Sequence, residues 1–135
     1  MSVERITIKV EVRDVIESGA WYEKVLNVRT SDPEEYAEGC RCIDIEWEFF
    51  RISLNETDRY SKQNMPLANR YFSMRFIVNR SHIERVLSFK LKTEDDYLSD
   101  EQDARYIAFR DPDGNSIHLA CYDDFTTSSL ARRQP

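Results

Sequence analysis

The chain of 135 residues has little glycine, little proline, three cysteines and two histidines. Three Gly and four Pro argue against a long flexible linker or a fibrous repeat. Three Cys is an odd number and too few for a disulfide scaffold. No apolar run approaches the roughly 20 residues that span a bilayer, so no membrane partner is expected. Met1-Ser2-Val3-Glu4-Arg5 lacks the apolar core of a secretory signal, which makes the cytoplasm the expected location. Positive charge is also scarce. Nineteen Lys+Arg face 25 Asp+Glu, a formal net charge of -6, which disfavours sequence-independent nucleic-acid binding. What remains is 41% hydrophobic and 33% charged, the balance of a globular protein of one-domain length.

Hydrophobic periodicity places the elements. Ile6, Ile8, Val10 and Val12 alternate with polar residues, so about 3–12 reads as a strand with one apolar face. Asp14 can then cap a helix over 15–26, with Glu17 at the capping-box position and Asn27 as the stop. Ile16, Ala20, Trp21 and Val25, with Tyr22 beside them, form its expected apolar stripe. A short strand is expected at 28–30 and a polar break at 31–35. Two strands at 40–45 and 49–54 should be joined by a tight turn near Glu46-Trp47. Residues 55–66 read as a loop.

After that loop the order repeats. Residues 71–78 read as a strand, and Ser81 can cap a helix carrying Ile83, Val86 and Leu87, with Glu84 at its capping-box position. A strand at 89–92, an acidic loop at 93–103 and strands at 106–109 and 116–121 follow. The last two flank Asp111-Pro112-Asp113-Gly114-Asn115, a dense turn signal. Residues 125–135 read as a polar tail. Internal duplication at half the chain length implies two similar modules, each with a helix on one sheet face and a bare opposite face. Two bare faces together can enclose a pocket.

The stretch Phe109-Arg110-Asp111-Pro112-Asp113-Gly114-Asn115-Ser116-Ile117-His118-Leu119 resembles the final hairpin of the vicinal-oxygen-chelate superfamily. That superfamily includes glyoxalase I, bleomycin and fosfomycin resistance proteins and extradiol dioxygenases. Val10-Glu11-Val12-Arg13-Asp14 and Ala20-Trp21-Tyr22-Glu23-Lys24-Val25-Leu26 are similar to its first strand and helix, with Asn27 where Gly is usual. The resemblance spans about residues 3–124. It implies an α+β fold of two βαβββ modules, at about 3–55 and 68–124. Their mixed sheet is cupped, with helices outside, and residues 1–124 form one domain. It also implies a ligand site in the cup and a homodimer.

Metal-dependent members of that superfamily carry four ligand positions. By the resemblance these fall on Thr7, on Arg51 or Ser53, on Ser73 and on His118. Only His118 is a credible donor, because hydroxyls are weak ligands and Arg repels a cation. No metal and no other cofactor is therefore expected. Two features stand against that expectation. Glu11 points the same way as Thr7 and Lys9, and Cys40 and Cys42 share a strand face. Free Cys is more commonly a small buried hydrophobe. His82, at the start of the second helix, reads as a surface residue.

Alternation assigns Thr7, Lys9, Glu11, Phe49, Arg51, Ser53, Ser73, Arg75 and His118 to the cup as candidate ligand-binding residues. Trp47, Tyr60 and Tyr71 could add aromatic walls. The inferred cup is basic: Lys9, Arg51, Arg75 and His118, with Glu11 as counter-charge. Such charges must pair with one another, bind a ligand or stay wet. Two functions follow. One is metal-free binding of a small molecule with an anionic or oxygen-rich group. The alternative is a superfamily enzyme, a lyase, isomerase or dioxygenase, with His118 as general acid/base or metal ligand. A dimeric module serving a protein partner is a third, and no sequence feature singles it out.

Overall fold

A computed structural model describes residues 2–57, 73–99 and 104–122. The chain divides into two compact units: Met1–Ala68 with Pro112–Gly114, and Asn69–Asp111 with Asn115–Pro135. The element order is β1 (Ile6–Val12), α1 (Val15–Leu26), β2 (Glu34–Ala37), β3 (Cys40–Glu46), β4 (Phe50–Glu56), β5 (Ser73–Val78), α2 (Arg80–Ser88), β6 (Thr93–Ser99), β7 (Ala104–Arg110) and β8 (Ser116–Cys121). Each unit is one βαβββ module with an open, four-stranded mixed sheet. Strand order is β1-β4-β3-β2 in the first and β5-β8-β7-β6 in the second. The strands on either side of each helix, β1 with β4 and β5 with β8, pair in parallel, and the remaining pairs are antiparallel. The duplication and the α+β class read from the sequence are both present.

In unit 1, α1 starts and ends at the expected residues. The Asp14 carboxylate accepts from the N–H groups of Ile16 at 2.8 Å and Glu17 at 3.3 Å. Asn27 stops the helix at φ 55°, the left-handed conformation that Asn tolerates. The apolar stripe is rotated from expectation. Val15, Ser18, Gly19, Tyr22, Val25 and Leu26 are buried, whereas Ile16 is 50% exposed and Ala20 is exposed. Gly19 explains the rotation: a Cβ there would sit 3.3 Å from Ile43 Cδ1. The helix rides so close to β3 that its smallest residues form the contact. Val10, Val12, Ile43, Ile45, Ile52 and Leu54 are buried in the same unit. Each such aliphatic side chain contributes about 1.5–3 kcal/mol when fully buried.

Glu56 ties the start of α1 to the sheet. Its carboxylate accepts from Val15 N–H at 3.0 Å, from Arg41 N–H at 2.9 Å, and from the Arg41 guanidinium at 3.1 and 2.9 Å. Asp113, buried in the turn assigned to this unit, accepts from Arg13 N–H and the Ser18 hydroxyl, each at 2.9 Å.

In unit 2, α2 is capped by Asn79, not Ser81. The Asn79 side chain accepts from His82 N–H at 2.9 Å, and the Ser81 hydroxyl bonds to that same side-chain oxygen. Ile83 and Val86 form its buried face. The Asp111 carboxylate organises the expected β7–β8 turn, accepting from Asn115 N–H at 2.7 Å and its side-chain amide at 2.9 Å.

Other elements differ from expectation in place. No strand forms at 28–30 or 89–92. The second strand of each module lies further on, at Glu34–Ala37 and Thr93–Ser99, in stretches expected to be a break and a loop. β1 begins three residues late, at Ile6, and β4 runs on to Glu56. Residues 58–72 and the tail from 123 lie outside the described residues, and with them Tyr60, Tyr71 and most of the expected 55–66 loop.

Candidate functional site: the helix-free sheet faces

In each sheet, residues paired across strands share a face, so the register gives a grid of side chains. In unit 1, α1 packs on β3 and β4. The opposite face has three rows read from β1 through β4 to β3. They are Thr7, Arg51 and Glu46; then Lys9, Ser53 and Asp44; then Glu11, Asn55 and Cys42. Glu34 of β2 extends the third row.

This grid holds five of the nine expected residues, and Phe49, the sixth in this unit, lies just outside it. Thr7, Lys9 and Glu11 are exposed on β1, Arg51 is partly buried and Ser53 is buried on β4. Phe49 precedes β4, is 66% exposed, and its carbonyl accepts from Ile6 N–H at 2.9 Å. Trp47, the other expected aromatic wall in this unit, packs on Phe50 with ring centroids 5.5 Å apart.

The expectation of a basic surface fails in unit 1. Arg51 is ion-paired with Glu46, its neighbour across the strand, and Asp44 and Glu11 add further carboxylates. With Arg51, Lys9 and Arg5, which also reaches Glu46 at 4.0 Å, against Glu46, Asp44, Glu11 and Glu34, the face is acidic on balance. Cys42 registers that field. Burial pushes its thiol pKa up, and the charges of Asp44 and Glu34 push it further. Asp44 and Glu46 were missed as face residues although their alternation with Ile43 and Ile45 carried the signal.

In unit 2, α2 packs on β8. The opposite face reads, from β5 through β8 to β7, Ser73, Ser116 and Arg110; then Arg75, His118 and Ala108; then Ile77, Ala120 and Tyr106. The three expected residues of this unit therefore stand together: Ser73 and Arg75 alternate on β5, and Arg75 is the direct neighbour of His118. The Ser116 hydroxyl lies 3.0 Å from His118 Nε2. The Arg75 guanidinium lies over the Tyr106 ring, 5.2 Å from its centroid. Tyr106 is buried, and its hydroxyl is 3.1 Å from that of Tyr122. Arg110 is paired with Glu94 at 2.9 Å. Ser116, Tyr106 and Arg110 were not among the expected site residues, though Ser116 shares the alternation of His118.

The donors do not fit a divalent cation. Thr7 stands beside a guanidinium, and the direct neighbour of His118 is Arg75. Among the described residues no group of three or more His, Cys, Asp or Glu side chains is placed to hold a metal ion. Cys40 is buried and Cys42 partly so, as expected of small core thiols. A groove of about 310 Å³ lies between α1, residues 30–33 and β3 in unit 1, lined by Ile16, Gly19, Ala20, Glu23, Thr30 and Ile43 among others. None of the nine expected residues lines it. No helix among the described residues is long and apolar enough to cross a membrane.

No family model matches the chain, and no curated protein matches its sequence. Solved structures do match. The fosfomycin resistance protein FosX from Listeria monocytogenes is 15% identical, with a TM-score of 0.66 over 90% of this chain and 94% of that one. Lactoylglutathione lyase from Agrobacterium tumefaciens is 14% identical, with a TM-score of 0.61 over 90% and 96%. The integron cassette protein VCH_CASS1 of V. cholerae is 21% identical, with a TM-score of 0.59 over 87% and 94%. At these identities the likeness concerns the fold. The two βαβββ modules and these neighbours give the chain the glyoxalase/bleomycin resistance fold, the fold that its final hairpin and first helix had implied.

Proposed function

We propose that the chain is a small-molecule-binding protein of the cytoplasm that works as a homodimer and without a metal ion. The observation that carries this reading is the polarity of the helix-free faces at central-strand positions. Arg51, Ser53 and Asn55 of β4, and Ser116 and His118 of β8, stand where a purely structural layer would place apolar side chains. Two of the structural neighbours, the fosfomycin resistance protein and the lactoylglutathione lyase, are each named for a small molecule. The donor set supports metal-free work, since hydroxyl or guanidinium groups occupy three of the four positions that ligands would take and leave His118 alone.

Two measurements test this. Untagged protein should contain well under one metal equivalent. A full equivalent that is lost in His118→Ala would overturn the metal-free reading. A thermal-shift screen of small organic molecules should find compounds that raise the melting temperature in proportion to ligand concentration. No stabilising compound across a chemically broad set would count against binding.

One observation favours the enzymatic alternative. The Ser116 hydroxyl orients the His118 imidazole, as general acid/base chemistry requires. In that case His118→Ala would abolish turnover of a bound compound while leaving its binding within a few-fold.

A further inference from the structure

The two helix-free faces surround their cations differently: each holds one guanidinium paired with a carboxylate, but unit 1 sets Lys9 in a row with Asp44, whereas unit 2 sets Arg75 over an aromatic ring. In unit 1 the guanidinium of Arg51 already has a carboxylate, Glu46. In unit 2, Arg110 has Glu94, but Arg75 has no carboxylate partner among the described residues. Its contact is with the face of the Tyr106 ring. A guanidinium held over a ring face, with no carboxylate on it, has N–H groups for the forked hydrogen bonds that match a carboxylate or phosphate. The ring beneath it is itself packed. Tyr106 is buried, meets the Tyr122 ring edge-on at 5.9 Å, and shares a hydroxyl contact with it. Arg75 is thus held before any ligand arrives, which reduces the entropy lost on binding. His118 lies one strand away, roughly 4.7–4.9 Å in the backbone, and the hydroxyls of Ser73 and Ser116 fill the adjacent row.

We infer that unit 2 binds the oxyanion group of a small molecule, a carboxylate or a phosphate, on the Arg75 side-chain fork, with His118, Ser73 and Ser116 around it. This rests on the small-molecule reading above and names its ligand class and location. In unit 1 the carboxylates of Glu46, Asp44 and Glu11 disfavour an anion.

The full-length protein is titrated with inorganic phosphate and, separately, with benzoate, while side-chain and backbone NMR signals are followed. Either anion should shift the signals of Arg75, His118 and Ser116, and the stronger of the two identifies the oxyanion source. Arg75→Gln should weaken that binding by about tenfold or more, the loss of a charge-assisted fork. Arg75→Lys should fall between, keeping the charge without the fork. Arg105→Gln removes an equal charge on the helix side of the same sheet and should leave affinity within about twofold. Shifts centred on Arg51 and Lys9 would overturn the inference, as would equal weakening by the Arg105 and Arg75 variants. A screen of neutral and cationic fragments runs in parallel. If those alone move the face signals, the oxyanion class is wrong and small-molecule binding survives. If nothing moves them, both readings fall.

Discussion

The helix-free faces of the two units share a ladder and differ in charge. The parallel pairs put Thr7, Lys9 and Glu11 of β1 in the rows that Ser73, Arg75 and Ile77 take on β5. Across the central strand, Arg51, Ser53 and Asn55 correspond to Ser116, His118 and Ala120. On the third strand, Glu46, Asp44 and Cys42 correspond to Arg110, Ala108 and Tyr106. Unit 1 therefore pairs Arg51 with a carboxylate from the next strand, whereas unit 2 sets Arg75 over an aromatic ring. A cation's availability is set by its neighbour on the next strand more than by the net charge of the chain. That is why a protein of net charge -6 can hold an anion-receptive face.

The units also differ in how the helix is fastened, and that difference gives the largest expected effect. α1 is held by Asp14 and by the buried carboxylate of Glu56, while α2 relies on Asn79. Glu56→Ala strands Val15 N–H and Arg41 N–H and leaves the Arg41 guanidinium with Asp14 alone. It should cost roughly 3 kcal/mol, read from urea unfolding, against about 1 kcal/mol for Asn79→Ala. Equal losses would mean the two helix starts are equivalent.

Acid should weaken the same fastening. Burial acts to raise the Glu56 pKa, but hydrogen bonds from the Arg41 side chain and from Val15 and Arg41 N–H, with the Arg41 charge, outweigh it. They hold the group below the usual 4.5. The unfolded chain then takes up this proton first. The contribution is fully present above about pH 4.5 and is lost as pH falls through the lower folded value. Stability measured down that range should fall less steeply in Glu56→Gln than in the parent.

Asp14→Ala removes the α1 cap and should cost about 1 kcal/mol, matching Asn79→Ala. A much smaller cost would assign the helix start to Glu56 alone. The smallest effect on stability is expected from Glu46→Gln, since the Arg51 pair is partly exposed: under about 1 kcal/mol. Its value lies elsewhere, because it should release Arg51 and give unit 1 a weak affinity for phosphate that the parent lacks.

Much of the fold was legible because its signals are local. Asp14 and Asn27 bound α1 by their own side-chain chemistry, and the Asp111–Asn115 turn is closed by Asp111 itself. β2 and β6 were misplaced because Glu34–Ala37 and Thr93–Ser99 carry no apolar alternation. All four residues of β2 are exposed, so Glu34-Glu35-Tyr36-Ala37 shows no apolar alternation, and charge on an edge guards it against stray pairing. The α1 stripe was misread because hydropathy cannot show that Gly19 approaches Ile43 closely enough to make Ser18 and Gly19 the buried side. The candidate residues were found by alternation along single strands. Register between strands was out of reach, and with it the Glu46–Arg51 pair, the Arg75–His118 neighbours and the Arg75–Tyr106 stack.

The account turns on the different partners of Arg51 and Arg75, and exchanging them tests it most directly. In the Glu46→Gln/Arg75→Gln double variant, phosphate titration followed by NMR should move the perturbed signals from β5 and β8 to β1 and β4. Perturbations that stay on β5 and β8 at undiminished affinity would contradict it.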